Sequence, residues 1–309
     1  MNYKNTNRAF SLIELSIVIL IIGLLIAGIT KGSELYYKMK IATAQRSDND
    51  LTFHLNYIGG VSLRLDALNQ DSFNQNEVSD GSRITNWYDV KPEENGAPIN
   101  LSQSGNSRPY YKKNGVNGLP SVKFKGGGAT NIKKTNLSAE DLVGNRYATI
   151  FIVQNRLAGG ANIFRWDDGQ KRISLGGARS TSPYMWFDYG IYPVSVPNQS
   201  ITIANNPISS LISVDANNLP VDAIGKPHIL ALLKNGNLLK IRYDGQFIAG
   251  VDSGATAQVE GTRAGLFEIG QDFDGLIGEF VVFNKALSTA EIKKIEGYLG
   301  QKWGIEVIH

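Results

Sequence analysis

One acidic side chain lies inside the longest apolar run of the sequence. Glu14 is the only charged residue between Phe10 and Ile29. Twenty helical residues extend about 30 Å, the thickness of the hydrocarbon core of a bilayer. A carboxylate in that setting is unfavourable unless it has a cationic partner. The run therefore predicts a membrane-spanning helix in which Glu14 needs a partner.

Two acidic loops are the candidate metal sites. Asp167 and Asp168 precede Gly169, while Asp272 and Asp274 lie just before Gly275. Carboxylate and carbonyl oxygens in such loops are ligands for a hard cation such as Ca²⁺. Asp-Gly pairs also form turns without any ion, and we favour that interpretation. We expect no other cofactor.

The composition excludes several classes of function. The chain has 309 residues, no cysteine and three histidines, so disulfides, cysteine-ligated zinc and thiol catalysis are excluded. The net charge of +3 is small for a nucleic-acid binder, and we expect no nucleic-acid partner. The hydrophobic share of 42% is enough for a large core, and the 33 glycines indicate a turn-rich β architecture.

The N-terminal residues resemble type IV prepilins and the pseudopilins of type II secretion. The motif runs from Ala9 through Phe10-Ser-Leu-Ile to Glu14-Leu, behind a short basic leader. The resemblance implies that a prepilin peptidase cleaves after Ala9 and methylates Phe10, and that Glu14 meets the new amine of Phe10 in a neighbouring subunit. The sequence departs from the family at Ala9, where glycine is commoner, and in lacking the proline that usually bends the helix.

The same resemblance implies the domain organisation. Residues 1–9 are the leader peptide, residues 10–58 a transmembrane and stalk helix, residues 59–60 a Gly-Gly linker, and residues 61–309 the head. It further implies a single-pass protein of the inner (cytoplasmic) membrane with its head outside the cytoplasm. After assembly with other subunits, the protein is expected in a pilus or a pseudopilus.

From Val61 onward the pattern indicates short strands separated by turns. Asn235-Gly236 between two apolar runs predicts a type I′ hairpin, and Asp244-Gly245 predicts a second turn directly after it. Ser288 and Glu291 form a capping-box pattern that predicts a helix at the end of the chain. Many strands at this spacing are typical of a β-sandwich.

The head resembles concanavalin A-like domains of the laminin G jelly-roll type. The segments that carry the resemblance, in order, are Leu65-Asp66-Ala67, residues 84–89, Arg108-Pro109-Tyr110, residues 115–124, residues 275–291 and residues 298–304. The expected fold class is mainly β, a concanavalin A-like jelly-roll sandwich on a pilin-like helix. The resemblance also implies that Trp87 and Trp303 lie in the core. It does not decide whether Trp166 is a core or a surface residue.

The head is expected to bind rather than catalyse. Hydrolases of this fold carry the pattern Glu-x-Asp-x-x-Glu, whose two carboxyl groups flank the bond that is cleaved. The nearest stretch here, Glu268-Ile-Gly270-Gln-Asp272, lacks the middle acid and the second glutamate. We therefore predict that the protein is not an enzyme.

Glycan contact is predicted on one aromatic strand. Tyr184, Trp186 and Asp188 are the candidates, because both faces of that strand carry aromatic residues and one face must be core. The leading interpretation is a filament subunit, minor or specialised, that displays an adhesive or carbohydrate-binding head. The alternatives are a type II secretion pseudopilin that contacts secreted cargo and, more weakly, a membrane-tethered glycan hydrolase.

Overall fold

The computed structural model describes residues 12–92, 96–158, 162–176, 186–191, 200–202, 225–252 and 263–309. For residues 186–191, 200–202, 249 and 251–252 it describes the backbone only. Ala9, Phe10 and Tyr184 lie outside the described residues. The chain divides into two compact units, Met1–Thr43 and Ala44–His309.

A single long helix, α1, runs over Leu12–Ile58 and confirms the predicted N-terminal helix. Gly59 and Gly60 follow it with φ angles of +67° and +77°. Glycine adopts this left-handed conformation without steric cost, so the helix ends where the Gly-Gly pair begins.

The last four turns of α1 belong to the second compact unit. Their buried side chains recur every three or four residues and so form one face, which consists of Ala44, Ser47, Leu51 and Leu55. The compact unit therefore begins at Ala44 and not at Val61, where the sequence analysis placed the start of the head. Burial of this face is the reason for the difference.

In its described residues, the second unit is a sandwich of two antiparallel eight-stranded sheets. The first sheet has the order β14-β13-β12-β7-β16-β5-β4, with β1 also paired to β16. Its strands are β1 (Val61–Asp66), β4 (Tyr110–Lys112), β5 (Ser121–Phe124), β7 (Tyr147–Ala158), β12 (Pro227–Asn235), β13 (Leu238–Tyr243), β14 (Gln246–Asp252) and β16 (Asp274–Phe283).

The second sheet has the order β11-β10-β9-β8-β15-β6-β3-β2. Its strands are β2 (Asn86–Trp87), β3 (Leu101–Ser102), β6 (Ile132–Ser138), β8 (Asn162–Asp167), β9 (Lys171–Gly176), β10 (Trp186–Ile191), β11 (Ser200–Thr202) and β15 (Ala264–Ile269). The core lies between the sheets, where alternate residues of both contribute aromatic and aliphatic side chains. Phe164, Phe267 and Phe280 pack together there.

The two hairpins of the meander are present, with one turn displaced by a residue. The loop between β12 and β13 is Gly236-Asn237, and of these two only Gly236 has a positive φ, +58°. That pattern is typical of a type II′ turn, so the predicted type I′ turn at Asn235-Gly236 is wrong. Both Asp244 and Gly245 have positive φ, at +47° and +83°, as a type I′ turn requires.

The final helix, α3 (Thr289–Trp303), has the predicted capping box. The Glu291 backbone N–H donates to Ser288 Oγ, and the Ser288 backbone N–H donates to Glu291 Oε2. The buried apolar face contains Ile292, Ile295, Leu299 and Trp303, as predicted. A second, short helix, α2, covers Ala139–Leu142.

Candidate functional site

The first half of α1 presents an apolar surface in every direction. Thirteen large aliphatic side chains between Leu12 and Ile29 are exposed, from 49% for Val18 and Ile22 to 85% for Leu12. Within the described residues, α1 is the helix that is long and apolar enough to cross a membrane. Two polar side chains in it, Ser16 and Thr30, donate to carbonyl oxygens of the helix itself, at 2.8 and 2.9 Å. The segment is therefore suited to an environment without water.

Glu14 lies in the first turn of α1. The N-terminal end of a helix carries partial positive charge, which stabilises a carboxylate there. The next charged residue along the chain is Lys31, which pairs with Glu34 at 3.5 Å. Glu14 is thus the single charge of the apolar segment, as the sequence indicated.

The aspartate pairs proposed as metal sites lie at opposite ends of the sandwich. Asp167 at the end of β8 pairs with Leu266, near the start of β15, whereas Phe164 pairs with Ile269 at the end of β15. Asp272 and Asp274 follow Ile269 and therefore lie at the other end. One ion cannot contact all four carboxylates.

Asp167 and Asp168 have the contacts of turn residues. Asp167 Oδ1 accepts a hydrogen bond from the backbone N–H of Gly169 at 2.7 Å, and Asp168 Oδ1 accepts from Gln170 and Lys171 at 2.8 and 2.7 Å. Arg172 Nη2 donates to Asp167 Oδ2 at 2.8 Å. These contacts account for both carboxylates without a metal ion.

Glu268 and Gly270 occupy the stretch compared above with glycosidase acids. Arg165 Nη2 lies 2.5 Å from Glu268 Oε1, and the Glu268 side chain is only 4% exposed. Gly270 has a φ of +85°, and a Cβ atom there would come within 1.9 Å of the ring of Phe124. An aspartate at position 270 is therefore sterically impossible in this backbone.

The predicted glycan-contact strand, β10, lies near one edge of the second sheet. Trp186 and Asp188 occupy alternate register positions of this strand. Their cross-strand partners on β9 are Gly176 and Ser174. Ile173 and Leu175, the neighbours of Ser174, are core residues, so the Ser174 side of β9 is the side away from the core.

A continuous row of polar residues crosses the second sheet in register with Ser174. The cross-strand pairs connect seven strands from β3 to β11 through Ser102, Lys133, Glu268, Arg165, Ser174, Asp188 and Ser200. We call these seven residues the polar row. Among its described side chains, Ser102 is exposed and Lys133 and Arg165 are partly exposed, whereas Ser174 and Glu268 are buried.

Three tryptophans are structural. Trp87 and Trp303 are inaccessible to solvent, which agrees with their predicted core positions. Trp166 is 1% exposed, and its indole N–H donates to the carbonyl oxygen of Leu137 at 2.9 Å. The open question about Trp166 is thereby answered in favour of the core.

A buried charge cluster that the sequence did not predict consists of Asp48, Arg64, Asp66, Glu279 and Lys302. Lys302 Nζ lies 2.7 Å from one carboxylate oxygen of each of the three acids. Arg64 Nε lies 3.1 Å from Glu279 Oε1, and Arg64 Nη2 also contacts Asp48. The only sequence signal was the presence of charged residues inside otherwise apolar strands, β1 and β16.

Lys302 takes the position that a metal ion could occupy in this cluster. The three carboxylates each offer one oxygen, and these oxygens all lie within 4.8 Å of one another. Burial raises the pKa of Asp66 to about 7, although Lys302 opposes the shift. Burial alone would lower the pKa of Lys302, but Asp66 and Glu279 prevail and raise it. The ammonium therefore remains charged and binds the three acids together.

Comparison with known proteins gives one match for the N-terminal segment and separate matches for the β-sandwich. Residues 4–30 match the family model described as the prokaryotic N-terminal methylation motif. The comparison with curated protein sequences gives no match.

Solved structures share the fold of the second unit. The binding domain of botulinum neurotoxin serotype G aligns with a TM-score of 0.50 and 12% identity, over 78% of this chain and 51% of that chain. A structure reported with the statement that cell entry of botulinum neurotoxin type C depends on two ganglioside molecules aligns with a TM-score of 0.50 and 14% identity, over 78% and 51%. Domain 4 of an extracellular arabinanase from Geobacillus stearothermophilus, in complex with arabinotriose, aligns with a TM-score of 0.49 and 15% identity, over 76% and 98%. This chain thus spans about half the length of the neurotoxin chains.

These comparisons define the class of protein. The chain joins a prepilin N-terminal methylation motif to a jelly-roll β-sandwich. The motif implies processing by a prepilin peptidase and assembly with other pilin subunits. Together with the apolar helix, it suggests a membrane-anchored protein that assembles into a pilus.

Proposed function

We propose that this protein is a type IV pilin-like filament subunit, minor or specialised, whose jelly-roll head binds carbohydrate at the outer face of the second sheet. The observation that carries the filament role is the methylation motif at residues 4–30 on a helix whose first half is exposed all round. Covering a large aliphatic side chain contributes roughly 1.5–3 kcal/mol. Because thirteen such side chains are exposed, contact of this segment with lipid or with the helices of other subunits is strongly favourable.

Glu14 supplies the specific contact of that assembly. Cleavage after Ala9 creates an α-amino group on Phe10, four residues before Glu14. Four residues of helix correspond to about 6 Å, so the amine and the carboxylate lie at similar depths in the apolar layer. Pairing between the amine of one subunit and the carboxylate of the next neutralises both charges and fixes the axial register.

The polar row supports carbohydrate binding by the head. Its described accessible side chains are those of Ser102, Lys133 and Arg165, and the backbone register continues the line to Asp188, two residues after Trp186. Pyranose rings have hydroxyl edges that need hydrogen bonds and C–H faces that pack on aromatic rings. The arrangement fits both requirements.

We propose binding without hydrolysis. Glu268 is held by Arg165, and position 270 has no room for a side chain. A retaining glycosidase needs two carboxyl groups about 5–5.5 Å apart, one of which is protonated. The stretch from Glu268 to Asp272 cannot present the middle acid of that pattern.

Two measurements test the proposal. Filaments sheared from cells should contain the protein; its confinement to the periplasm together with a secretion defect would favour the pseudopilin alternative. On a glycan array, Trp186→Ala should reduce binding at least tenfold, whereas Tyr147→Ala, an exposed aromatic on the first sheet, should not. Equal binding by both variants and wild type would reject the outer face of the second sheet as the glycan site, and release of reducing sugar would revive the hydrolase alternative.

A further inference from the structure

One stretch of the head carries positive charge only. Between Gly96 and Ala139 the sequence contains seven lysines and arginines and neither aspartate nor glutamate. The whole chain is nearly balanced, with 31 basic and 28 acidic residues, so the positive charge is concentrated locally. This stretch includes β4 and β5, the last two strands at one edge of the first sheet.

The strand register places several of these cations side by side. Tyr110 pairs with Arg83 on one side and with Lys123 on the other. Lys125 follows Lys123 by two residues and so points to the same side. The intervening residue, Phe124, is in the core, which places the cations on the outer face. We call Arg83, Arg108, Tyr110, Lys123 and Lys125 the cationic edge.

An aromatic ring orders the centre of the cationic edge. The guanidinium carbon of Arg83 lies 4.7 Å from the centroid of the Tyr110 ring, and Lys125 Nζ lies 4.9 Å from it. Arg83 Nη1 donates to the carbonyl oxygen of Arg108 at 3.1 Å. Arg108 in turn donates to the carbonyl oxygen of Gly105 at 3.1 Å and to Thr85 Oγ1 at 3.2 Å.

The four cations have no carboxylate partner within the described part of the chain. The ion pairs there include none from Arg83, Arg108, Lys123 or Lys125. The nearby Lys112 differs, because it binds Asp80 at 2.8 Å. The cationic edge ends at Gly126, which lies against Asp274. Its two arginines donate only to neutral oxygen atoms, and none of its four cations is paired with a carboxylate in the described residues.

We propose that the cationic edge is a second binding site of the head, for an acidic polysaccharide whose sugars carry carboxylates. Guanidinium groups bind carboxylates through paired N–H donors, and lysines add point charges along the same line. The Tyr110 ring is already engaged by two cations, so it offers no open platform for the stacking of nucleic-acid bases. The inference deepens the proposed carbohydrate-binding function but involves neither filament assembly nor the polar row.

Binding of the full-length protein in a nonionic detergent to three immobilised polymers tests the proposal. The polymers are polygalacturonate, neutral dextran of similar length and duplex DNA. Lys123→Gln/Lys125→Gln removes two charges without removing a described hydrogen bond, because neither ammonium group makes one. Lys293→Gln/Lys294→Gln on α3 makes the same change of charge elsewhere and is the matched control.

We expect salt-sensitive binding to polygalacturonate that the Lys123/Lys125 variant weakens about tenfold, since it loses two exposed ion pairs with the polymer. The Lys293/Lys294 variant should bind as wild type does, and dextran should not compete. Equal loss in both double variants would overturn the proposal in favour of a general effect of net charge. Tighter binding to DNA than to polygalacturonate would identify a nucleic-acid surface instead. Loss of binding in a Trp186→Ala variant but not in the Lys123/Lys125 variant would assign the acidic glycan to the site proposed on the second sheet, which leaves the proposed function standing and rejects the cationic edge.

Discussion

Replacement of Lys302 by methionine tests the role of the buried charge cluster. Lys302 has no side-chain exposure and donates to Asp48, Asp66 and Glu279 at 2.7 Å each. The first acid belongs to α1, the second to β1 and the third to β16. Methionine has a similar length but no charge, so Lys302→Met leaves three buried carboxylates with Arg64 as their only cation in the cluster.

The expected loss of stability is large. Removing one partner of a buried ion pair costs about 3–5 kcal/mol, because the remaining charge is left desolvated. Lys302 has three such partners, so we expect a loss of at least about 3 kcal/mol. Whole domains have unfolding free energies of about 5–15 kcal/mol, which makes this a substantial fraction. Part of the loss should disappear below neutral pH, where Asp66, whose pKa is raised to about 7, takes up a proton.

Chemical denaturation of residues 44–309, followed by circular dichroism, measures the effect. Lys294→Met, an exposed lysine on the same helix, is the matched control and should change stability by less than about 0.5 kcal/mol. Asp48→Asn combined with Lys302→Met restores the net charge of the wild-type cluster and should recover part of the loss. A change below about 1 kcal/mol for Lys302→Met would refute the reasoning, because the ammonium would then not be needed to compensate the buried acids.

Four further predictions concern processing, assembly, the limits of the folded unit and the pH dependence of its stability. Mass spectrometry of assembled protein should find a chain that begins at N-methylated Phe10; retention of residues 1–9 there would contradict the prepilin motif. Glu14→Ala should be inserted and cleaved but absent from sheared filaments, and normal incorporation would reject the ion pair with the neighbouring amine. Residues 44–309 should fold alone as a β-rich monomer. Residues 61–309 should be several kcal/mol less stable, because this shorter fragment lacks the buried Leu51 and Leu55 and the Asp48 carboxylate of the charge cluster. Equal denaturation midpoints of the two fragments would show that residues 44–60 add nothing to stability. The pKa of Asp66 is about 7 in the folded protein and has its usual value of 3.8 in the unfolded chain, so the folded state binds more protons between these two values. The free energy of unfolding should therefore fall as the pH rises from about 4 to about 7. Denaturation at pH 5 and pH 8 checks this, and the same difference in stability between the two pH values in Asp66→Asn would exclude Asp66 as the cause.

Local sequence determined the helices and several turns. The long apolar run, the Gly-Gly pair after Ile58 and the capping box at Ser288 each depend on residues within a few positions of one another. The periodicity and chemistry of neighbouring residues are enough to start or end a helix, which is why these predictions agree with the structure. The turn between β12 and β13 was displaced because either Asn235-Gly236 or Gly236-Asn237 satisfies the local requirement, and the pairing of the two strands chooses between them.

The binding surfaces and the charge cluster were decided by tertiary structure. Arg64 meets Glu279 across 215 residues of sequence, and Lys302 meets Asp48 across 254. The polar row likewise arises only when strands distant in sequence pair in one register, and the cationic edge depends on the register between β4 and β5. A shift of one residue in that register would turn each side chain to the opposite face. The sequence could therefore predict an apolar helix and a sandwich, but which charges are buried together and which remain exposed follows from how the sheets pair and pack.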